Sequence, residues 1–184
     1  MVKITVSGHP GAGKTTFCKI LSERLGLNHY YMGGIIREMA SRKGKKLEEF
    51  YKSLSNDPEG ERKLDFYQKE LGEKEENFIM EGRTSFFFIP DSIKIFLSVR
   101  PEVGAERIHN EKKGENKRNE NNYETIEETL KANNGRLEEE KRRYMQLYGI
   151  DHHDPKNFDY HIDTTYLNPE EVVEEFLNSY SFLK

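Results

Sequence analysis

The 184-residue chain has one cysteine, no apolar run near the roughly 18 residues of a membrane span, and no large charge of either sign. Cys18, alone, cannot form an internal disulfide, which suits a reducing compartment. The 29 Lys and Arg residues against 33 Asp and Glu leave a net charge of −4, which excludes a general polyanion binder or a polybasic membrane binder. No internal repeat and no linker divides the chain. Val2, Ile4 and Val6 alternate with other residues and run straight into glycines, the pattern of a strand and not of a signal peptide. Hydrophobic and charged residues each make up 34%, polar for a globular chain but too apolar for a disordered one. These limits predict one soluble, cytosolic domain.

Charge is unevenly placed. Residues 1–99 hold 16 basic and 14 acidic groups, residues 100–150 hold 11 and 11, and residues 151–184 hold 2 and 8. The acidity therefore belongs to the C-terminal end, and the rest is neutral to slightly basic.

Hydrophobic spacing predicts strands at 2–6, 29–32, 77–80, 92–99 and 161–163. Helices are expected after the first glycine loop as far as Gly26, then over 35–43, 47–54, 59–71, 103–111, 123–148 and 169–177. Residues 110–122 contain no apolar side chain and read as an exposed mobile segment. Strands alternating with helices imply a parallel sheet covered on both faces, with ligands at the carboxyl ends of its strands.

Gly8, His9, Pro10, Gly11, Ala12, Gly13, Lys14 and Thr15 fit G-x-x-x-x-G-K-[ST], followed by Thr16 at the start of a helix. Such a loop aims backbone N–H groups at phosphate oxygens, and the helix N-terminus adds its positive end. Lys14 is expected to reach the β- and γ-phosphates of ATP, and the Thr15 hydroxyl to bind Mg²⁺. A GTPase would need N-K-x-D; Asn116-Lys117-Arg118-Asn119 lacks the acid. A small chain with scattered arginines suits a kinase for a small phosphorylated acceptor.

Transfer between two anions requires cations on both sides of the transferred group. Glu81-Gly82-Arg83 ends the third strand, at the same sheet edge as the loop. Glu81 is expected to hold Mg²⁺ through water, and Arg83 to clamp the acceptor phosphate, with Arg37 near the start of the second helix. Arg136 and Arg143 lie seven residues apart, about 20° around one helix, so they share a face. They either close over the transferred group or pair with Glu138–Glu140 on a solvated helix.

With these stretches in view, the sequence resembles the nucleoside monophosphate kinases, and more narrowly the archaeal-type cytidylate kinases. GHPGAGKTT, YMGGIIREMA, LEEFYK, FIMEGR, IKIFLSVRPEVGAERI, EEEKRRYMQLYGID and FDYHIDTTYLNPEEVVE carry the likeness across nearly the whole chain. The resemblance implies a three-layer α/β/α fold with a five-stranded parallel sheet. Its core would be about residues 1–32, 74–107 and 150–184, with a helical acceptor-binding part at 33–73 and a lid and long helix at 108–149. It further implies Mg²⁺, ATP as donor and CMP or dCMP as acceptor. The charge balance predicts no nucleic-acid or membrane partner, and a monomer is expected. Arg37 and Arg83 would hold the acceptor phosphate, Arg107 would lie near the donor, and Arg136 and Arg143 would come over the transferring group. Two departures stand out. Gly34 replaces the acid of the family's G-[DE]-x-[FL]-R, and His109, Asn110 and Glu111 follow Arg107 where arginines are common, leaving Lys112 or Lys113 to substitute.

Reading cytosine requires an acceptor for its 4-amino group. Asp65, with Gln68 one turn later, is the candidate; the alternative is an ordinary helix-surface acid. The remaining features read as structural. Cys18 is expected to pack in the core, as are Phe86–Phe88 and Ile89, while Tyr144, Leu147 and Tyr148 form a helix packing face and His152-His153-Asp154 a loop. Two rival readings remain: a kinase of this architecture for AMP, UMP or dTMP, and a nucleotide-dependent binding module with weak ATPase activity.

Overall fold

A computed structural model describes residues 1–55, 58–112 and 123–180. Most of the polar run 110–122, including Asn116–Asn119, lies outside the described residues, as does the side chain of Lys112 and the whole of Lys113.

Five strands form one parallel sheet in the order β2-β3-β1-β4-β5. They are β1 (Val2–Gly8), β2 (Asn28–Tyr31), β3 (Asn77–Glu81), β4 (Ile93–Ser98) and β5 (Tyr160–Asp163). Helices α1 (Lys14–Leu25), α2 (Met32–Arg42), α3 (Leu47–Ser55), α4 (Pro58–Lys74), α5 (Ser85–Phe88), α6 (Pro101–Lys112), α7 (Ile126–Tyr148) and α8 (Pro169–Ser179) fill the connections. The α/β class and the five parallel strands agree with the sequence.

The central strand β1 pairs with β3 on one side, Val6 opposite Glu81, and with β4 on the other, Gly8 opposite Leu97. Successive side chains of a strand point to opposite faces, so Ile4 and Val6 face one layer and Thr5 and Ser7 the other. Ile4, Val6, Ile79, Ile95 and Leu97 pack with Phe17 and Leu21 of α1 and Val173 and Phe176 of α8 in the principal core. Burying such side chains contributes roughly 1.5–3 kcal/mol each. On a second apolar cluster Phe86, Phe96 and Phe158 meet. The chain reverses its direction of travel across the sheet at β1, and this switch point lies under the glycine loop.

Helix ends follow local chemistry. Thr125 caps α7 by accepting from the Glu128 N–H at 3.1 Å, which is why the helix starts three residues later than the spacing suggests. Gly149 ends it, as expected. Asn168 and Glu171 form a reciprocal capping box on α8, with Pro169 in the first turn. At α2 the structure departs from expectation: the helix begins at Met32 and runs through Gly33-Gly34, so β2 stops at Tyr31. The Tyr31 ring lies against both glycines, and a Cβ on Gly34 would sit 2.8 Å from it. An acid at this position would displace that ring.

Candidate active site

At the carboxyl edge of the sheet a cleft of about 390 Å³ brings together residues from both halves of the chain. Its floor is the glycine loop, with Pro10, Gly11, Ala12, Gly13, Lys14, Thr15 and Thr16 all lining it. Gly11 has φ +75°, and a Cβ there would lie 2.3 Å from the Gly104 carbonyl oxygen, so the loop can approach α6 only with glycine at this point. Gly8 closes β1. His9 lies beneath the loop, its Nδ1 3.3 Å from the Val99 carbonyl and its ring edge-on to Phe96 and His153. Burial holds the His9 imidazole below its ordinary range.

Lys14 folds back over the loop, its Nζ donating to the Gly8 carbonyl at 3.0 Å and the His9 carbonyl at 2.7 Å. Lost hydration, and then the nearby Arg83 guanidinium, pull its ammonium down to about 7, with Glu81 opposing. The Thr15 hydroxyl donates to Glu81 Oε1 at 2.9 Å. A hydroxyl and a carboxylate thus stand together beside the lysine. Their hard oxygens at the loop's mouth are the donor types a divalent cation such as Mg²⁺ takes.

Arg37, Arg83, Arg107 and Arg136 all line the cleft. Arg37, on α2, donates to the Tyr31 hydroxyl and lies 5.5 Å from that ring's centre. Arg107, on α6, donates to the Thr164 carbonyl at 2.8 Å and approaches the Gly11 carbonyl at 3.4 Å, tying the loop to the end of β5. Arg83 follows β3, with Nη1 2.9 Å from Glu140 Oε2. Arg136 donates from Nε to Glu140 Oε1 at 3.0 Å. Arg143 is buried, its guanidinium 5.0 Å from the Tyr144 ring centre, and is not among the residues lining the cleft. The two helix arginines therefore share a face, as their spacing predicts, but only Arg136 reaches the cavity.

Glu140 is the organising group that the sequence does not single out. It is 2% exposed on α7 and faces Arg83 and Arg136, with His152 Nε2 at 3.9 Å. Burial alone would raise its carboxyl; Arg83, then Arg136 and Arg143, hold it below the ordinary carboxylate range instead. The sequence does carry the signal, since Glu140 stands four residues after Arg136 and three before Arg143.

Asp65 is not a surface acid. It is 7% exposed on α4, and its Oδ1 accepts from Gln68 Nε2 at 3.0 Å and Thr84 Oγ1 at 3.2 Å. Its Oδ2 accepts from the Tyr148 hydroxyl of α7. Burial raises the Asp65 carboxyl, against these donors. Asp65 and Gln68 both line the cleft. Tyr148 does more than pack a helix face, since it ties α7 to the acid. Phe86 and Ile89 are buried as expected, whereas Phe87 is 40% exposed beside the Tyr148 ring. His152 and His153 do lie in a turn, yet His152 is fully buried, and their rings lie 3.9 Å apart.

A lysine on a phosphate-shaped loop, faced by arginines from other elements at a sheet's switch point, is the arrangement of a P-loop kinase. A family model described as an AAA domain matches residues 4–128. The cytidylate kinase of Archaeoglobus fulgidus is 36% identical over 179 residues, 97% of this chain and 94% of its own. That of Pyrococcus furiosus is 38% identical over 92% of this chain and 83% of its own. Among solved structures, the shikimate kinase of Acinetobacter baumannii superposes with a TM-score of 0.63 at 18% identity, over 100% of this chain and 95% of that one, a likeness of fold alone. The chain belongs to the cytidylate kinase family.

Proposed function

We propose that the protein transfers the γ-phosphoryl group of ATP to CMP or dCMP, giving ADP and CDP or dCDP. The observation that carries this reading is the cleft itself. It joins a cationic floor and wall, made by Lys14, Arg37, Arg83 and Arg136, to a buried hydrogen-bonding end made by Asp65 and Gln68.

The glycine loop, from Gly8 to Thr16, and Arg107 bind ATP. Lys14 leaves its two carbonyl partners and regains its proton on the phosphates, whose negative charge offsets the lost hydration and the Arg83 charge that pull its pKa down. Arg37 and Arg83 bind the acceptor phosphate, and Arg136 stabilises charge on the transferred group, joined by Arg143 as the cleft closes. The phosphate oxygen of CMP attacks the γ-phosphorus as the bond to the β-phosphate oxygen breaks, so no covalent enzyme intermediate forms. Thr15 and Glu81 would hold Mg²⁺, and when bound the ion neutralises charge on the phosphates.

The base end is built by Asp65. A carboxylate has about four acceptor sites, and three are taken by Gln68, Thr84 and Tyr148, leaving one for the cytosine 4-amino group. Residues 33–73 form the acceptor-binding part, and the lid and long helix at 108–149 close over the core to exclude water. In this reading the enzyme is a cytosolic monomer acting on small nucleotides. No helix among the described residues is long and apolar enough to cross a membrane.

The test is ADP release from Mg·ATP with a panel of monophosphates. CMP and dCMP are expected to raise turnover far above the basal rate. Equal or greater stimulation by AMP, UMP or dTMP would move the acceptor assignment, and no stimulation by any of them would overturn the reading.

A further inference from the structure

The Glu81 carboxylate has two sides. Oε1 accepts from Thr15 and faces the glycine loop. Oε2 lies 3.6 Å from the Nε2 of His29 on β2, with Cys18 of α1 in the same group. In the parallel pairing of β2 with β3, His29 stands opposite Ile79 and Tyr31 opposite Glu81. Side chains two residues apart on a strand share a face, so His29 and Glu81 lie side by side on the face that α1 covers. Cys18, one turn beyond Lys14, is buried in the same core cluster as Ile79.

The three ligand atoms, Cys18 Sγ, one His29 ring nitrogen and one Glu81 oxygen, all lie within 4.8 Å of one another. His29 Nε2 and Glu81 Oε2 are 3.6 Å apart, too far for a hydrogen bond. Both atoms are buried, and neither has a hydrogen-bond partner among the described residues. Glu81 is 4% exposed. Leaving such groups unmet in the interior is costly, so an arrangement that holds them face to face beside a thiol calls for an explanation.

We propose that Cys18, His29 and Glu81 form a binding site for a borderline-soft divalent metal, zinc in particular. With the bond lengths such ions take to sulfur, nitrogen and oxygen, tetrahedral ligand atoms stand roughly 3.3–3.8 Å apart. The His29–Glu81 separation already falls in that range, and Cys18 reaches it by a small movement of its side chain. The donor set selects the ion: one sulfur, one nitrogen and one oxygen suit zinc or cobalt, whereas magnesium requires an octahedron of oxygens. Binding releases the thiol proton to solvent and satisfies both buried atoms at once. Three protein ligands leave a fourth position to water, the pattern of an exchangeable site and not of a closed structural one. The site stands on these side chains alone. Its consequence rests on the role proposed above for Glu81: zinc on Oε2 competes with the Thr15 side for the same carboxylate and so opposes the magnesium-dependent reaction.

The experiment is a titration of the metal-free protein with Co²⁺, read by absorption, followed by displacement with Zn²⁺. One equivalent of cobalt is expected to produce a near-ultraviolet thiolate-to-metal band, which zinc bleaches. Cys18→Ala removes the band, and both Cys18→Ala and His29→Gln weaken zinc binding by at least about tenfold. Cys18→Ala keeps its turnover with Mg·ATP in zinc-free buffer, which shows that the fold survives the change. Absence of the band in the unmodified protein, or unchanged zinc affinity in both variants, would overturn the site whatever the acceptor nucleotide proves to be.

Discussion

Arg83, at the end of the third strand, stands 2.9 Å from Glu140, in the middle of the long helix. The ion pair spans 57 residues of sequence and fixes the helix to the edge of the sheet where the glycine loop lies. Because Arg136 donates to the other oxygen of Glu140, one buried carboxylate aims two guanidinium groups into the cleft.

Glu140→Gln is therefore expected to act on activity and stability together. Removing one member of a buried charged pair costs about 3 kcal/mol, because the remaining guanidinium groups face one another uncompensated. Urea unfolding should register this loss. Turnover should fall by about 10- to 100-fold as Arg83 and Arg136 lose their aim. A change below about 0.5 kcal/mol, as for an ordinary surface charge, would contradict the role assigned to Glu140.

Lys14 makes a prediction through its proton. In the free protein its ammonium titrates near 7, so at pH 8 it is mostly neutral. Phosphate raises that value, and ATP binding at pH 8 should take up most of one proton from the buffer, with little uptake at pH 6. Calorimetry in buffers of different ionisation enthalpy reads this directly. Lys14→Met should abolish the uptake and lower turnover by at least about a hundredfold while the protein remains folded. Identical proton uptake in the variant would assign the proton to another group.

Asp65→Asn separates the two substrates. An amide oxygen and a carboxylate oxygen both accept, but the amide brings an N–H group against Gln68, Thr84 or Tyr148. The KM for CMP should rise by about 10- to 100-fold, and the KM for ATP by less than about threefold. Tyr148→Phe, which leaves the acid in place but unties it from the long helix, should shift the same constant in the same direction. Equal effects on both substrates would mean that Asp65 supports the fold and not the base site.

His152 and His153 predict how stability depends on pH. Burial holds them down to about 4 and about 3. The unfolded chain, whose histidines titrate near 6.5, binds more protons at these two sites than the folded one as pH drops, so their contribution to stability is full above about pH 7 and is lost as pH falls through 6.5 towards 4. Urea unfolding between pH 6.5 and 5 should show this slope, and His153→Phe should reduce it by roughly half. A flat profile over that interval would contradict histidines held neutral in the fold.

Much of the architecture is legible in the chain because its signals are local. Alternation in Val2–Val6 marks the central strand, glycines mark the loop, and Gly149 and Asn168 mark helix ends where the structure has them. Arg37, Arg83, Arg107 and Arg136 all line the cleft; Arg83 is legible from the strand end it follows and Arg37 from its place near the start of the second helix. Arg107 comes only from the family resemblance, and helical spacing leaves Arg136 between two readings. Convergence across the fold is what escaped. Tyr148 and Asp65 meet although 83 residues apart, and nothing near either residue announces the other. Glu140 reads as a member of an acidic run until Arg83 is brought to it. His152 and His153 look like a polar turn, and only the packing against Tyr144 and Phe96 shows His152 to be interior and His153 half-buried. The glycine at position 34 reads as a missing acid, whereas it makes room for Tyr31.

Phosphoryl transfer to a cytidine monophosphate is tested most directly by following the γ-phosphate itself. With ATP labelled at that position and CMP present in excess, the label should pass into CDP in step with ADP release, with little free inorganic phosphate. Label that appears as inorganic phosphate at a rate unaffected by CMP would contradict the account and describe a hydrolase built on the same loop.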